Sequence, residues 1–548
     1  LIWHGFSKPL WFPARFSFLF NFFLIYTGNR CFLKLKEGIN SKYLLYSTIT
    51  FIIFTTSIVL PSSAIRSGVC PSNIYPDIAL VIFFAIAIYI CLGIYNKNII
   101  SIPHKKVVTS LLYSIFIISH FLNIYIDAFH SIEETQKNYV SESGLTNLNA
   151  YSNFTKDTEY TINKIKSYDS GLFRTERTCL KRINSPMQFN YYGLSHFGSS
   201  EKSFIRTFME ELGFKNYGNY LYYDKGNTLT ADCLLGVKYL LNNESEFKKP
   251  YKPFFSHNNI QVYENPFALP IGFGVSSDIL KINDNFQGKN PFENQSQLLE
   301  YMSGETYTGL FNFIEPLDIY TENLVQNNLD NSIKFIKIDN TKEAYIYYKV
   351  KIPNANNFYA YFSTNPSNPF KSNKITEATL YINDKPSTAL SLEDGFNCIL
   401  PLNFNKEEDV IFKIKLNEDS FTLNDVKFCY ENADVLQKYY NTLAKEPFNA
   451  EIVSSSHIKG AIKIDHDNRL LLFSIPYEEG WKIKIDGIKA EKIKINNALT
   501  AVYINKGNHY IDMQYIPDGF IFGSVISVAT FVIFFVYFSL FYKKCKNK

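Results

Sequence analysis

"WKIKIDGIKAEKIKI" (Trp481–Ile495) decides how the chain is built. Trp481, Ile483 and Ile485 alternate with Lys482, Lys484 and Asp486, the period of two that puts apolar and charged side chains on opposite faces of a strand. Asp486–Gly487 supplies the two residues that tolerate positive φ in a type I′ turn, so the stretch reads as a hairpin. Downstream, "NHYIDMQYIP" (508–517) continues the sheet, and Pro517–Gly519 hands over to Gly519–Tyr542, a run without a charged residue. That run is long enough to cross a hydrocarbon core of about 30 Å. A sheet joined to a span by so short a segment sits close to a membrane surface.

Four more apolar blocks stand near the other end: about 16–33, 43–60, 78–95 and 107–126. Arg30 interrupts the first and has to snorkel to a headgroup. Lys and Arg in the short loops set the orientation. Arg30, Lys34, Lys36 and Lys42, then Lys97, Lys105 and Lys106, then Lys543, Lys544, Lys546 and Lys548 all fall on one side under strict alternation, which is assigned to the cytoplasm. The predicted fold class is a polytopic α-helical membrane region plus an extracytoplasmic α+β domain and β-sandwich or jelly-roll-like modules, ending in a C-terminal transmembrane helix. The expected setting is the bacterial cytoplasmic membrane, multi-pass, with the large domain outside and the C-terminus inside. A net charge of +4 over 548 residues, with no basic stripe, argues against a nucleic-acid partner.

The expected units are 1–128 (four spans), 129–304 (α+β), 305–445 (β-sandwich-like, with a helical linker), 446–518 (a small membrane-proximal β module) and 519–548 (last span and basic tail). Residues 131–170 are polar and read as a helical, surface-lying connection. In "SSEKSFIRTFMEELG" (199–213), Ser199 or Ser200 is the expected N-cap, and Phe204, Ile205, Phe208, Met209 and Leu212 form the buried face before Gly213 stops the helix. "DCLLGVKYLLNN" (232–243) and "IQVYENPFALPIGFGV" (260–275) read as central strands. "EAYIYYKVKI", "NNFYAYFST", "TEATLYIND" and "EDVIFKIKL" alternate between turn residues as in a sandwich, and "NADVLQKYYNTLAKE" is a linking helix.

Of eight cysteines, Cys70, Cys179, Cys233, Cys398 and Cys429 fall on the oxidising side. Free thiols are favoured over a Cys398–Cys429 disulfide. There is no CxxC pair, no phosphate-cradling glycine loop and no nucleophile elbow, and the sequence supports no divalent metal.

"LLLFSIPYEEGWKIKIDGIKA" with "NKGNHYIDMQYIPDGFIFGSVIS", "YYGLSHFGSSEKSFIRTFMEELG" with "LLGVKYLL" and "ENPFALPIGF", and the opening "IWHGFSKPLWFPARFSFLF" resemble the bacterial YfhO-type membrane proteins, in order and over nearly the whole chain. The resemblance implies a GT-C-like glycosyltransferase. Its donor would be a polyprenyl-phosphate-linked sugar, its acceptor a cell-envelope polymer of the lipoteichoic-acid type, and its surroundings membrane lipids. It also implies further spans before Leu1, with the catalytic carboxylate among them, so this chain alone is expected to be inactive.

Such transfer needs cations on the departing phosphate. Arg15, His4 and Lys8 are the donor-phosphate candidates, because an Arg at the outer bilayer surface offers a planar fork to phosphate oxygens. The alternative is an interfacial anchor, with Trp3, Trp11 and Phe12 as an aromatic belt. His120, Asn123 and Asp127 at the outer end of the fourth span are intramembrane polar candidates, against a helix–helix hydrogen bond. Asp77 is a substitute carboxylate candidate. Arg174 and Arg177, beside Glu176, are acceptor-binding candidates, against a structural ion-pair cluster. Tyr477 and Trp481, with His509, form a candidate sugar platform, although Trp481 is in phase with the core residues Ile483 and Ile485. The second functional reading is a membrane-anchored carbohydrate-binding or complex-assembly protein without catalysis.

Overall fold

The computed structural model describes residues 148–546 apart from the internal stretches 179–182, 199–200, 218, 244–248, 285–289, 354–356, 365–377, 384–396, 403 and 405. Before residue 148 it describes only scattered helical positions between Phe22 and Ala128. The chain divides into two compact units, Leu1–Glu142 and Ser143–Lys548. The four early spans therefore lie almost wholly outside the described residues. At the other end, the helix Phe520–Lys546 is apolar on every face, and Phe520–Lys544 has a mean hydropathy of 2.3 with none of that window buried. It is the one helix among the described residues long and apolar enough to cross a membrane.

The second unit opens with the helix Leu148–Tyr168. It is not merely surface-lying: Ile162 and Ile165 are buried with Tyr239, Leu241 and Val262. That core backs a mixed four-stranded sheet in which Arg174–Arg177 runs parallel to Val237–Asn242, followed by antiparallel Ile260–Glu264 and Lys252–His257. Two expectations are corrected here. The helix in 199–213 spans Ser203–Glu211, with Lys202 at the N-cap and no side-chain cap bond; Phe208, Met209 and Leu212 are buried, while Phe204 and Ile205 are only partly so. "DCLLGVKYLLNN" begins as the end of a helix and only its second half is strand. Thr228 caps Leu229–Leu234 by accepting from Ala231 N, Gly236 turns the chain at φ 64°, and only then does the strand begin. A cap and a positive-φ glycine outweighed a run of apolar residues that fits either element.

The sandwich is as the alternation suggested. One sheet has the order Asp318–Glu322, Tyr345–Ile352, Glu408–Leu416, Ala378–Ile382, and the other runs Leu324–Leu329, Ser332–Lys337, Ser420–Glu431, Phe358–Thr364, Ile399–Leu402, with Phe311–Phe313 paired to Ser420–Glu431. Ile346, Val350, Phe362, Phe412 and Phe428 fill the space between. Phe412 and Phe428 lie 4.7 Å apart, ring centre to ring centre. Cys233, Cys398 and Cys429 are buried thiols.

Beyond the helix Ala433–Leu443, capped by Asn432, a second sandwich closes the unit. The predicted hairpin pairs Trp481–Ile485 with Ile488–Lys489 through Asp486 (φ 51°) and Gly487 (φ 82°). The following strand, Lys492–Ile495, crosses to the facing sheet with Leu499–Ile504, Arg469–Pro476 and Gly272–Ser276. Gly272–Ser276 comes from the α+β segment, so the expected boundary between 129–304 and 446–518 is crossed by a strand pairing. One core holds Phe208, Leu299, Leu436, Leu470 and Ala501 together.

Candidate ligand-binding site

The site is built on the helix Pro291–Ser303. Asn290 starts it, its side-chain oxygen accepting from Phe292 N (3.1 Å) and Glu293 N (3.1 Å), with Pro at the first helical position; Gly304 at φ 72° ends it. One face is committed to the interior. Leu298, Leu299 and Met302 are buried, Gln295 Nε2 donates to Leu212 O (2.7 Å), and Asn294 Nδ2 donates to Glu211 O (2.8 Å). The opposite face, at helical spacing, carries Glu293, Gln297, Glu300 and Tyr301. These side chains line a cleft of about 440 Å³ whose other wall is the segment Tyr307–Phe313. That volume falls in the range of small-ligand sites.

The far wall is held in place by Tyr439. Its hydroxyl accepts from Tyr307 N (2.9 Å) and donates to Tyr307 O (3.2 Å), with the rings 4.9 Å apart. Phe292 forms the apolar floor, 5.1 Å from Phe311 and 6.0 Å from Phe313. Gln297 Oε1 is buried without a hydrogen-bond partner among the described residues. Burial pushes the Glu300 carboxyl above its ordinary value. Among the described residues the lining contains two carboxylates, Glu293 and Glu300, and no cation. Lys438 reaches the Tyr307 ring, 5.8 Å from its centre, but is not part of the lining. Among the described residues no cluster of three or more His, Cys, Asp or Glu is placed to hold a metal.

Nothing in the sequence reading singled this helix out, although "NPFENQSQLLEYMSG" carries its start and stop signals and a polar–aromatic face at i, i+4, i+7, i+8. Two buried carboxylates were also missed. Asp232 accepts from Tyr223 Oη (2.7 Å), Tyr251 Oη (2.5 Å) and Lys249 Nζ (2.8 Å). Glu431, from the sandwich, accepts from Leu229 N (2.9 Å), Thr230 N (2.7 Å), Thr230 Oγ1 (2.6 Å) and Tyr359 Oη (2.8 Å), and so caps a helix of the α+β segment.

Arg15, His4, Lys8, His120, Asn123, Asp127 and Asp77 lie outside the described residues. The "LFRTER" residues face inward. Arg177 is 1% exposed, donates to Asn243 Oδ1 (3.0 Å) and Thr158 Oγ1 (2.9 Å), and stacks on Phe154. Arg174 donates to the Leu235 carbonyl and to Ser474 Oγ (3.0 Å) and O, and burial lowers its guanidinium to about 10 against the opposing pull of Glu176. Glu176 accepts from Leu194 N, Ser195 N (2.8 Å) and Ser195 Oγ (3.2 Å), yet burial still pushes it up to about 7. These residues thus bond mainly to backbone and hydroxyl groups. Trp481 packs on the last core and on Tyr515, 5.1 Å away. Tyr477 has Lys492 and Lys494 over its ring, at 4.9 and 4.8 Å. His509 is held between Asp486 Oδ2 (2.8 Å) and Asn505 O (3.0 Å).

The family model described as bacterial membrane protein YfhO matches residues 1–527. The chain belongs to that family. It is also similar to the uncharacterised protein YfhO of Bacillus subtilis (strain 168), with 22% identity over 387 residues, covering 67% of this chain and 43% of that protein. The match therefore spans less than half the length of the curated relative. No solved structure matches the chain. In this chain the strand Gly507–Tyr515 is followed, four residues on, by the apolar helix Phe520–Lys546.

Proposed function

We propose that the chain is the C-terminal portion of a GT-C-like membrane glycosyltransferase that moves a sugar from a polyprenyl-phosphate carrier to a cell-envelope polymer on the outer membrane face. In this reading Arg15, with His4 and Lys8, holds the donor phosphate, and the β-rich domain guides the acceptor. A multi-pass topology with that domain outside goes with it. The observation that supports it best is the ligand-sized cleft in a β-rich domain joined to an apolar helix by residues 516–519. A polymer acceptor needs such a folded platform beside the bilayer, because positioning the reacting hydroxyl lowers the barrier by removing its freedom to wander.

The test is Arg15→Ala in the intact protein, read as polymer glycosylation in membranes together with the amount of inserted protein. Loss of transfer with normal insertion is expected. Unchanged glycosylation overturns the phosphate role. The second reading, a carbohydrate-binding membrane protein without catalysis, is favoured by the same cleft. It predicts that purified intact protein never turns over a polyprenyl-phosphate sugar.

A further inference from the structure

We propose that the open edge of the first sandwich pairs with the same edge of a second copy of this chain. Two strands form that edge. Asp318–Glu322 ends one sheet and Leu324–Leu329 ends the other, with Asn323 (φ 56°) as the single residue between them. Asn323 pins the corner: its Nδ2 donates to Asp339 O (2.9 Å), its Oδ1 accepts from Asp339 N (3.0 Å) and its carbonyl accepts from Ile338 N (3.1 Å). Leu324–Leu329 pairs with Ser332–Lys337 on one side and, among the described residues, with nothing on the other. Its row of outward backbone N–H and C=O groups is a template for another strand. Folded proteins blunt such edges with a charge, a proline or a bulge. "LVQNNL" (324–329) has no charge and no proline, and its register with Ser332–Lys337 is unbroken.

The side chains around the edge are aliphatic. Leu317, Ile319, Val325, Leu329 and Ile338 are each at least 50% exposed. Leu324 is buried in the core, so by alternation Val325, Asn327 and Leu329 stand on the outer face of the sheet. Ile319 lies opposite the buried Tyr348, on the face turned toward the other sheet, and still remains open to solvent. Five large apolar side chains along two neighbouring edge strands mark a contact surface.

The strand's own sequence identifies what covers it. Read in either direction it is apolar at its ends and amide in its middle. Antiparallel pairing about a twofold axis at Asn327 sets Val325 against Leu329 of the second copy, Gln326 against its Asn328, and Asn327 against its own equivalent. Apolar side chains then meet apolar ones, and amides that both donate and accept meet amides. Such a contact uses one surface twice, as twofold dimers do. The nearest charge on that face, Lys334, lies one strand further in, opposite Asn327. Its two copies would stand about 14 Å apart at the usual strand spacing, beyond the screening length of about 8 Å in physiological salt. The pairing does not depend on the transferase reading.

The test measures the mass of the full chain in detergent micelles by light scattering, over a dilution series and with the micelle subtracted. A dimer is expected. Asn327→Lys sets two ammonium groups against each other and should weaken the dimer tenfold or more. Its melting temperature at high dilution should match the parent's, because Asn327 is exposed. In membranes, Asn327→Cys under mild oxidation should give a disulfide-linked dimer of the chain. Asp467→Cys, exposed on a turn of the last sandwich, should cross-link no more than the parent. The inference is overturned if the parent is monomeric at every dilution, or if Asn327→Lys leaves the dimer intact. It is equally overturned if Asn327→Cys links to a different protein, or cross-links no better than Asp467→Cys.

Discussion

Glu431→Ala is the sharpest test of how the second unit is held together. The carboxylate lies 3% exposed in the sandwich and receives four donors, two of them the first amides of the helix Leu229–Leu234. With the side chain gone, Leu229 N keeps the Tyr359 hydroxyl oxygen at 3.3 Å, whereas Thr230 N, the Thr230 O–H and the Tyr359 O–H lose their acceptor. Three buried donors at about 1–3 kcal/mol each give a cost of roughly 3–9 kcal/mol. Relief of the buried charge, whose desolvation already pushes the carboxyl up, lowers that to about 3 kcal/mol. Glu431→Gln keeps an oxygen for the amides and should cost about 1 kcal/mol. The assay is denaturant unfolding of the full chain in detergent, followed by tyrosine fluorescence, with hydrogen exchange at Leu229 and Thr230 as the local readout. The reasoning fails if the alanine variant stays within 1 kcal/mol of the parent, or if Gln is as damaging as Ala.

Two further outcomes follow from the same unit. Glu176 titrates near 4.5 when unfolded and near 7 in the fold; between those values the unfolded chain has released a proton the folded one still holds, so rising pH removes about 3 kcal/mol of stability and the loss levels off above 7. Glu176→Gln should flatten that slope, and unfolding curves at pH 4.5–7.5 in which parent and variant run parallel would refute it. Gly226 sits at φ 109° and an added Cβ would lie 2.2 Å from Gly213 O, so Gly226→Ala should lose more than 2 kcal/mol; a melting midpoint within 2 °C of the parent would count against the close approach.

What the sequence revealed and what it hid divide along physical lines. Alternation at Tyr345–Ile352 and Glu408–Leu416, and the Asp486–Gly487 turn, are local signals, and the strands lie where those signals put them. The apolar run before Lys543 is equally local. Helix limits were less legible, because Ser199 and Ser200 satisfy the composition of a cap while the helix waits for Ser203. The candidate cleft was hidden for a different reason. Its wall residues Tyr301 and Tyr307 look like ordinary surface aromatics until Tyr439, far along the chain, fixes one of them. Asp232 and Glu431 were invisible for the same cause, since their partners come from other segments. Arg177 could be read as an acceptor-binding cation or as part of an ion-pair cluster, because charge is what a sequence displays; its enclosure by Thr158 and Asn243 is a property of packing.

Those long-range contacts also explain why the unit behaves as one body rather than a string of modules. Gly272–Ser276 pairs with Arg469–Pro476, Arg174 bonds Ser474 across the same seam, and Glu431 caps a helix that precedes it by some two hundred residues. Arg469 Nε and Nη2 meet Glu446 at 2.9 and 2.7 Å, and Arg469 also reaches Gly274 O at 3.1 Å, so a largely buried ion pair reinforces the strand crossing. An ion pair of this kind adds little net stability, but removing one partner strands the other charge, which makes it a device for fixing one arrangement. The helix Pro291–Ser303 packs into this shared core through Leu298, Leu299 and Met302. The cleft therefore keeps a set offset from the last sandwich, whose final strand leads through residues 516–519 into the apolar helix. Fixed geometry of that sort is what a domain needs if it is to present a polymer to chemistry at a bilayer surface, and a flexible string of modules could not supply it.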